Sequence, residues 1–302
     1  MQERLDALVS SFSPSQLKQY SLELSDRYRK RLVPFLAKRE HRFAYLVTRL
    51  PATLAAITRV LREIPLTSIE SFLDLGAGPG TGYLAAKDVF PQIGRATLLE
   101  TDSVFIEIGK KLITDRVEWI KQDLKEVLNF APYDLVLLSY SIGEIPEKYW
   151  EPILKGAWSA TQKAMVIIEP GTPAGFARIR EIRSLLLSWG AHMIAPCPHA
   201  AACPMKEPDW CHFSQRLERN SLHKMAKEGS LGFEDEKFSY LVVSKEVVEV
   251  SGERILRPPQ RRKGHTIFSL CTQEGLKNKV VSQKDKEFYK FSKKLDWGDV
   301  LR

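Results

Sequence analysis

The sequence predicts an α/β fold: a mainly parallel sheet covered by helices on both faces, with an N-terminal helical cap and a cysteine-rich metal-binding insertion. Three observations support this prediction. The first seventy residues have helical periodicity, the residues that follow alternate short apolar segments with amphipathic ones, and a later irregular stretch contains three of the four cysteines. Strands that alternate with helices are typical of a parallel sheet, because each crossover helix returns the chain to the end of the sheet where the strands begin.

The helical cap is predicted from apolar residues that recur with the period of a helix. Leu17, Tyr20 and Leu24 are spaced by three and four positions, which puts them on one helix face. A second apolar stripe follows Pro51. Both stripes are expected to pack on a core.

The sheet is predicted from five short apolar segments and the helical segments that follow them. The strands are expected at Ser71–Leu75, Ala96–Glu100, Val117–Ile120, Leu135–Tyr140 and Ala164–Glu169. The helices are expected at Tyr83–Phe90, Val104–Leu112, Lys148–Ala160 and Ala174–Trp189. Two further strands, Phe238–Val243 and Thr266–Cys271, have no helical segment between them and are expected to form an antiparallel edge.

These elements divide the chain into three predicted parts. The cap covers residues 1–67, and the α/β domain covers residues 68–252, including an insertion at 190–232. A basic segment at 253–302 is expected to contribute the last strand and the fourth cysteine. The insertion is long, irregular and rich in proline, so something must hold it together.

Composition excludes several classes of protein. Hydrophobic residues make up 44% and charged residues 27% of the 302, a globular balance that excludes wholesale disorder. No apolar run approaches the ~20 residues of a membrane helix. The segment Met1–Asp6 has no basic stretch leading into an apolar core, so no secretory signal is expected. The default expectation is a cytoplasmic protein that does not bind a membrane.

Positive charge is concentrated at the C-terminal end. The whole chain has a net charge of +8, and residues 253–302 contain thirteen Lys and Arg against six Asp and Glu, a net +7. Such a segment is typical of a protein that binds a polyanion, most commonly nucleic acid. A basic tail that only maintains solubility is the alternative.

A glycine-rich loop follows the first predicted strand, in the run Gly76-Ala77-Gly78-Pro79-Gly80. Glycine permits a tight turn and the close approach of a ligand, and the helix start behind the loop offers free amides to an anionic group. A dinucleotide fingerprint requires G-x-G-x-x-G, but Thr81 and Tyr83 occupy the sixth positions. The G-x-G-x-G pattern instead resembles the first motif of class I S-adenosylmethionine-dependent methyltransferases.

Acidic residues follow the strands around this loop. Glu100 ends the second strand, 24 residues after Gly76, where an acid can accept both ribose hydroxyls of an adenosyl ligand. Asp102 is a rival for this role. Asp123 occupies the position at which methyltransferases of this class often contact the adenine amino group. We include Asp74, on the strand before the loop, among the cofactor-binding candidates.

No catalytic residue is assigned from the sequence. Base N-methyltransferases of this fold often have an Asn/Asp-Pro-Pro-aromatic motif after the fourth strand, and residues 138–146 contain none. Glu144 is either a base or an acid at a helix start. No cysteine lies nearby to attack a pyrimidine ring. Methyl transfer therefore stays an open question.

The four cysteines are Cys197, Cys203, Cys211 and Cys271, with intervening segments of 5, 7 and 59 residues. This spacing has no C-x2-C knuckle and so matches no standard zinc ribbon. Four thiolates can bind either a tetrahedral zinc ion or an iron–sulfur cluster. Four buried free thiols are the alternative, although three of these cysteines lie beside Pro or His in a predicted loop.

Several blocks of the sequence resemble one methyltransferase-like family. They are Pro196-Cys197-Pro198-His199, Cys203-Pro204, Asp209-Trp210-Cys211-His212-Phe213-Ser214-Gln215-Arg216, Glu234–Tyr240, Arg257-Pro258-Pro259 and Arg262-Lys263-Gly264-His265. The family's best-known members are the mitochondrial small-ribosomal-subunit assembly factors, and it has bacterial relatives. The resemblance runs from about Leu50 to Asp299, and the Trp-Cys-His-Phe block is its most specific part.

This resemblance implies a class I methyltransferase fold, so that residues 68–252 are a methyltransferase-like domain with S-adenosylmethionine on the glycine loop. It also implies a 4Fe–4S cluster on the four cysteines, with zinc as the alternative. The implied partner is the rRNA of the small ribosomal subunit, and the chain is expected to be a monomer off the ribosome. Two interpretations follow: a methyltransferase acting on RNA or a ribosomal component, or a non-catalytic RNA-binding assembly factor.

Overall fold

The computed structural model describes residues 2–30, 36, 38–126, 129–219, 222–224 and 231–302. Four helices precede the first strand: α1 (Gln2–Val9), α2 (Pro14–Arg29), α3 (Arg39–Thr48) and α4 (Leu50–Leu61). Apolar residues of α1 and α3 pack together with Phe105, Ile108 and Leu112, and α4 buries Ile57 and Val60 in the core of the main sheet. The predicted helical character of the N-terminal region is therefore confirmed.

The main sheet is formed by eight strands. They are β1 (Ser71–Leu75), β2 (Arg95–Glu100), β3 (Glu118–Lys121), β4 (Tyr133–Ser139), β5 (Thr161–Pro170), β6 (His192–Ala195), β7 (Phe213–Glu218) and β8 (Phe233–Ser244). The connecting helices are α5 (Thr81–Val89), α6 (Ser103–Leu112), α7 (Trp150–Ala160) and α8 (Pro173–Ser188). Two short 3-10 turns, Ile142–Glu144 and Glu147–Tyr149, follow β4.

Strand order identifies the fold. The sheet runs β3-β2-β1-β4-β5-β8-β6, with β7 paired to the first half of β8. Strands β1 to β5 are parallel, whereas β8 is antiparallel to both β5 and β6. This is the class I methyltransferase-like α/β arrangement, and the prediction of that fold class is confirmed.

The side chains of the central strands point alternately to the two faces of the sheet, and a hydrophobic core lies on each face. On β4, Leu135 and Leu137 pack on the face covered by α4 and α5, and Val136 and Leu138 pack on the face covered by α7 and α8. Successive strand side chains point to opposite faces, so a strand buried on both sides must be apolar throughout. This explains why the strongest strand signals were unbroken apolar runs.

The C-terminal part forms a separate antiparallel sheet. Its elements are β9 (Glu253–Ile255), β10 (Gln260–Arg262), β11 (His265–Thr272), β12 (Gly275–Ser282), α9 (Lys286–Ser292) and β13 (Val300–Leu301). The expectation that Phe238–Val243 and Thr266–Cys271 form one antiparallel edge is wrong, because β11 lies in this second sheet and pairs with β9, β10 and β12. In the main sheet, β8 is antiparallel to β5 on one side and to β6 and β7 on the other.

The predicted insertion is also more regular than expected. Strands β6 and β7 both lie within 190–232 and both pair with β8. Between them, residues 196–212 contain no helix or strand, and residues 220, 221 and 225–230 lie outside the described residues. Four-residue strands such as β6 carry little periodicity, which is why the sequence did not reveal them. Within the described ranges, no helix has the length and apolar character to span a bilayer.

Candidate functional site

A cavity of about 360 Å³ opens above the glycine-rich loop. Its walls come from that loop, from the ends of β2 and β4, and from helices α3 and α4. Ligand pockets usually measure roughly 300–1,000 Å³, so a small-molecule cofactor fits. The predicted site residues that line it are Gly76, Gly78, Glu100 and Asp123. Asp74 and Gly80 are not lining residues, and a larger open groove beside α4 includes none of the predicted site residues.

The three loop glycines all adopt left-handed backbone angles, with φ of +83° at Gly76, +55° at Gly78 and +86° at Gly80. Residues with a β-carbon rarely adopt such angles. A β-carbon on Gly80 would lie 2.4 Å from Ile113 Cδ1, whereas one on Gly78 would meet nothing within 4 Å. Gly80 therefore serves the turn and its packing, and Gly78 borders the open space of the cavity.

Glu100 ends β2 and holds the loop in place. Its Oε2 accepts a hydrogen bond from the Gly78 N–H at 2.7 Å, and its Oε1 accepts from the N–H groups of Thr101 and Asp102, each at 2.8 Å. Burial raises the pKa of Glu100, and these three hydrogen bonds oppose the rise. Carboxylate oxygens have additional lone pairs, so Glu100 can also accept hydrogen bonds from a ligand.

The rival acid, Asp102, has a structural role. Its Oδ1 accepts a hydrogen bond from the Val104 N–H at 2.9 Å and so caps the start of α6. Its Oδ2 accepts a hydrogen bond from Arg42 Nε at 2.6 Å. These bonds favour Glu100 over Asp102 as the ligand-binding acid.

Asp123 lines the cavity opposite the loop and is partly open to solvent. Its Oδ1 accepts a hydrogen bond from the Lys125 N–H at 2.9 Å, and its Oδ2 lies 2.9 Å from Lys125 Nζ. Burial raises the pKa of Asp123, but the bonds from Lys125 outweigh burial and lower it. Asp123 is therefore an ionised acceptor at neutral pH.

Asp74 lies beneath the loop in a fully apolar setting. It is completely buried, and neither carboxyl oxygen has a hydrogen-bond partner among the described residues. Burial, together with the charge of Glu100, raises the pKa of Asp74 to about 8. The backbone of Gly82 lies against it, since a β-carbon there would be 2.3 Å from Asp74 Oδ2. A buried carboxyl without partners is costly and needs a functional reason.

The turn after β4 contains a residue that the sequence analysis did not single out. Tyr140 has a φ of +56°, and no other described residue besides glycine has a positive φ. Its hydroxyl donates a hydrogen bond to Glu236 Oε1 at 3.4 Å. The Glu236 carboxylate also accepts hydrogen bonds from Arg49 Nη1 at 2.9 Å and from Arg49 Nη2 at 2.8 Å. Backbone strain of this kind is often found at functional sites. Tyr140 also lines the cavity above the glycine loop.

Glu144, the possible base, lies at the rim of the same cavity. Its side chain reaches solvent, yet partial desolvation raises its pKa to about 7, with smaller contributions from the charges of Glu100 and Glu169. A carboxyl with such a pKa can exchange a proton near neutrality.

All four cysteines line a second cavity, between α8, β8 and the C-terminal sheet. Cys197, Cys203 and Cys211 belong to the irregular segment 196–212, and Cys271 comes from β11. Burial raises the pKa of Cys271 to about 12, and the nearby thiols of Cys197 and Cys203 add to the shift. The structure thus brings the four predicted ligands to one place.

These thiols are not arranged around a single ion. Within the described ranges, no three His, Cys, Asp or Glu side chains are placed to hold one metal ion. The predicted metal site therefore stays a prediction. Burial, together with the other three thiols, raises the pKa of Cys211 well above its usual value. As a donor set, four thiolates suit either zinc or an iron–sulfur cluster.

Aromatic residues hold Cys211 in position. Trp210 stacks on His212 with ring centroids 5.0 Å apart, and the edge of His212 meets Trp297 at 4.9 Å. Trp210 Nε1 donates to the Gly171 carbonyl at 3.1 Å. The Trp-Cys-His-Phe block thus connects the turn after β5 with the C-terminal segment.

Sequence comparison agrees with this geometry. Residues 39–302 match the model of a family described as mitochondrial small ribosomal subunit Rsm22. The chain belongs to the Rsm22 family. The resemblance drawn from the cysteine and Trp-Cys-His-Phe blocks is therefore confirmed.

Two relatives are similar to this chain over most of its length. The chain is 27% identical over 324 residues to Rsm22-cox11 tandem protein 2, mitochondrial, of Schizosaccharomyces pombe, covering 85% of this chain and 42% of that protein. It is 25% identical over 285 residues to human ribosome assembly protein METTL17, mitochondrial, covering 85% and 61%. The chain thus spans about half the length of these relatives. The expected cytoplasmic location is contradicted, because these relatives are described as mitochondrial.

Two solved structures are similar to parts of the chain. An O-methyltransferase family protein from Burkholderia thailandensis is 13% identical, with a TM-score of 0.45 over 74% of this chain and 64% of that chain. A TehB-like S-adenosylmethionine-dependent methyltransferase from Corynebacterium glutamicum is 16% identical, with a TM-score of 0.41 over 64% and 88%. The fold assignment itself rests on the strand order and on the glycine loop.

The helical cap also supplies side chains to the wall of this cavity, which the sequence did not predict. Arg42 and Tyr45 of α3, together with Thr53 and Ile57 of α4, line the cofactor cavity. Nothing in the sequence near these residues signalled the role, because it depends on how the cap packs over α6 and the loop. Of these four residues, only Ile57 belongs to the apolar stripe that follows Pro51 and is expected to pack on a core.

Proposed function

We propose that the protein binds S-adenosylmethionine in the cavity above the glycine loop and acts on the small ribosomal subunit, or on its rRNA, during ribosome assembly. The observation that carries the proposal is the combination, in one cavity, of the left-handed G-x-G-x-G loop with Glu100 and Asp123. Membership of the Rsm22 family, with a relative described as a ribosome assembly protein, supports the ribosomal target.

The proposed roles follow from the contacts of each residue. Gly78 leaves open space beside its backbone for the ligand, Glu100 accepts the ribose hydroxyls, and Asp123 accepts the adenine amino group. We assign the ribose to Glu100 rather than to Asp102, which also lines the cavity, because Asp102 caps α6 and pairs with Arg42. When bound, S-adenosylmethionine would supply an electrophilic methyl group in this cavity, which Tyr140 also lines.

RNA binding is proposed for the C-terminal sheet. Eleven of the thirteen Lys and Arg in residues 253–302 are exposed, and the exceptions are Arg254 and Arg257. Arg262 and His265 close a hairpin whose turn, Lys263 and Gly264, projects into solvent. Exposed cations contact phosphates without reading base sequence, and phosphate contacts supply much of the affinity for nucleic acid.

The cysteine cavity is proposed to bind a 4Fe–4S cluster rather than zinc. All four cysteines line one cavity, and four thiolates are a donor set for either group. The resemblance of the cysteine blocks to the family implies the cluster at these four positions. A cluster would link the segment 196–212 to β11 and contribute to folding.

Two measurements test these proposals separately. Transfer of labelled methyl from S-adenosylmethionine to immature small subunits or their rRNA tests the enzyme. Binding of the cofactor and RNA without methyl transfer would support the alternative, a non-catalytic assembly factor whose cofactor pocket is structural or regulatory. Metal analysis with visible absorption, on protein prepared without oxygen, tests the cluster. Stoichiometric zinc without iron or sulfide would exclude it.

A further inference from the structure

Arg183 is a buried cation on α8 that lines the cysteine cavity and is only 4% exposed. Its Nη2 donates to the carbonyl oxygens of His199 and Ala201, each at 2.8 Å. Its Nε is buried and has no hydrogen-bond partner among the described residues. Within the same part of the chain, no carboxylate forms an ion pair with Arg183, in contrast to Arg178 on the same helix, which pairs with Glu169.

The second buried arginine in this cavity has a different environment. Arg254 is 5% exposed, and its Nη2 donates to Glu63 Oε2 at 2.5 Å. Its Nε donates to the Pro196 carbonyl at 3.0 Å, and its Nη1 donates to the Gly298 carbonyl at 2.6 Å. Arg254 is therefore balanced in charge and bonded through all three nitrogens, whereas Arg183 is not.

A buried positive charge without an anion strongly destabilises a fold, and proteins retain one only when something compensates it. Besides the four thiols, which are neutral when protonated, the polar side chains that share the cavity with Arg183 are Arg180, Ser239, Tyr240 and Arg254, and none of these is an acid that would be ionised at neutral pH. Four thiolates around an iron–sulfur core, in contrast, form a group with net negative charge. That group would supply the missing partner for the guanidinium.

We propose that Arg183 is the counter-ion and positioning residue of the group bound by the four cysteines. This inference rests on the proposed cluster. Through His199 and Ala201, Arg183 fixes the backbone between Cys197 and Cys203, and its charge stabilises the negatively charged group. Its Nε–H is the donor available to a sulfur of that group. Arg183 would thus contact both the loop that supplies Cys197 and Cys203 and the negatively charged group that these cysteines bind.

The test compares Arg183→Gln with Arg183→Lys and with the control Arg180→Gln. Arg180 lines the same cavity from the same helix, but its guanidinium lies 5.8 Å from the Phe176 ring centroid. Each full-length protein is reconstituted with ferrous iron and sulfide without oxygen. The readouts are iron content, the rate of iron loss to a chelator, and the midpoint potential of the cluster.

Arg183→Gln should lower the midpoint potential, because reduction adds negative charge that the cation no longer stabilises, and it should speed iron loss. Arg183→Lys should keep a potential near that of the wild type, and Arg180→Gln should change neither readout. An iron-loaded Arg183→Gln protein with wild-type potential and retention would overturn the role of Arg183 alone. A wild type that takes up no iron would overturn the proposed cluster as well.

If Arg183→Gln does not fold, the Arg183→Lys variant tests the counter-ion role. It keeps the charge but loses the paired bonds to His199 and Ala201. A wild-type potential with faster iron loss supports the counter-ion role. A potential that falls although the charge is kept contradicts it.

Discussion

The Nε2 of His199 lies 3.5 Å from the Sγ of Cys271, and this contact joins the irregular segment of the main sheet to the C-terminal sheet. Because residues 196–212 contain no helix or strand, their position depends on such contacts with other elements. Three cysteines lie on one side of this junction and Cys271 lies on the other. A group bound to all four would therefore cross-link two separate sheets.

The first prediction concerns that junction. Cys271→Ser should lose the iron and increase hydrogen exchange in residues 196–212, while exchange in the glycine loop stays unchanged. The reason is that the cluster contributes to folding only where it is bound. Mass spectrometry of hydrogen exchange, together with iron and sulfide analysis, measures both effects. Removing iron from the wild type with a chelator should reproduce the same local change.

Ser269→Ala is the control for this variant, since Ser269 lies two residues earlier on β11 and does not line the cysteine cavity. It should leave iron content and exchange near those of the wild type. A Cys271→Ser protein with wild-type protection of residues 196–212 would show that the segment is held by its packing alone.

The second prediction tests the cofactor cavity. Gly78→Val should abolish binding of S-adenosylmethionine in calorimetry, because its side chain would extend into the space that the ligand needs. Gly190→Val is a matched control: Gly190 has a φ of +82°, a β-carbon there also meets nothing within 4 Å, and it lines neither cavity. Backbone strain should destabilise both variants by about 1–2 kcal/mol. Equal affinity in the two variants would argue against the assigned cavity.

Much of the main sheet could be predicted because its strands are buried on both faces. Ser71–Leu75 was predicted with the bounds that the structure gives to β1, and the predicted strand Ala96–Glu100 differs from β2 by one residue. Unbroken apolar segments of this kind carry their own signal. Strands β6 and β7 carry none, because their pairing with β8 depends on residues distant in sequence.

The site could be predicted only in part, for a similar reason. Local motifs predicted Gly76, Gly78 and Glu100, which line the cavity, because a turn and the strand before it are encoded within a few residues. Tyr140 and Arg183 could not be identified, because the role of each depends on contacts with distant elements. An arginine in a helical segment usually faces solvent, and the sequence does not reveal that Arg183 is buried.

The third prediction is a pH dependence that arises from Asp74. Its pKa of about 8 in the fold exceeds the ordinary value of about 3.9 for an unfolded chain, so the folded protein keeps a proton that the unfolded chain releases. Stability should therefore fall as the pH rises from about 4 to about 8, by up to about 1.4 kcal/mol per pH unit. Asp74→Asn should remove this slope and make the cofactor-free protein more stable than the wild type at pH 7.

Urea unfolding at several pH values measures this effect, and Asp134→Asn serves as the contrasting control. Asp134 is also buried, but it accepts hydrogen bonds from the N–H groups of Glu70 and Ser71, and it lies 3.0 Å from Lys163 Nζ. Burial raises its pKa, but these contacts outweigh burial and lower it. Asp134→Asn should therefore destabilise the protein at pH 7, and less so in acid. An Asp74→Asn protein no more stable than the wild type at pH 7 would contradict the assigned environment of Asp74.

The fourth prediction concerns the hairpin between β10 and β11. Arg262 and Lys263 are exposed at its tip, whereas Arg261 donates to the Leu295 carbonyl at 2.8 Å and supports the fold. Changing Arg262 and Lys263 to Gln should weaken binding to small-subunit rRNA at low salt. The slope of log affinity against log salt should become shallower by roughly two, because each lost phosphate contact releases about one counterion fewer.

The matched control is the pair Lys110→Gln and Lys111→Gln, which removes the same charge from the exposed last turn of α6. If RNA binds through the C-terminal sheet, this control should change the affinity and the salt slope far less than the hairpin variant does. Equal losses in the two variants would mean that only net charge matters and that the RNA has no preferred surface. A hairpin variant with unaltered affinity and slope would exclude the tip from the interface, because local cations that contact phosphate cannot be removed without a change in salt dependence.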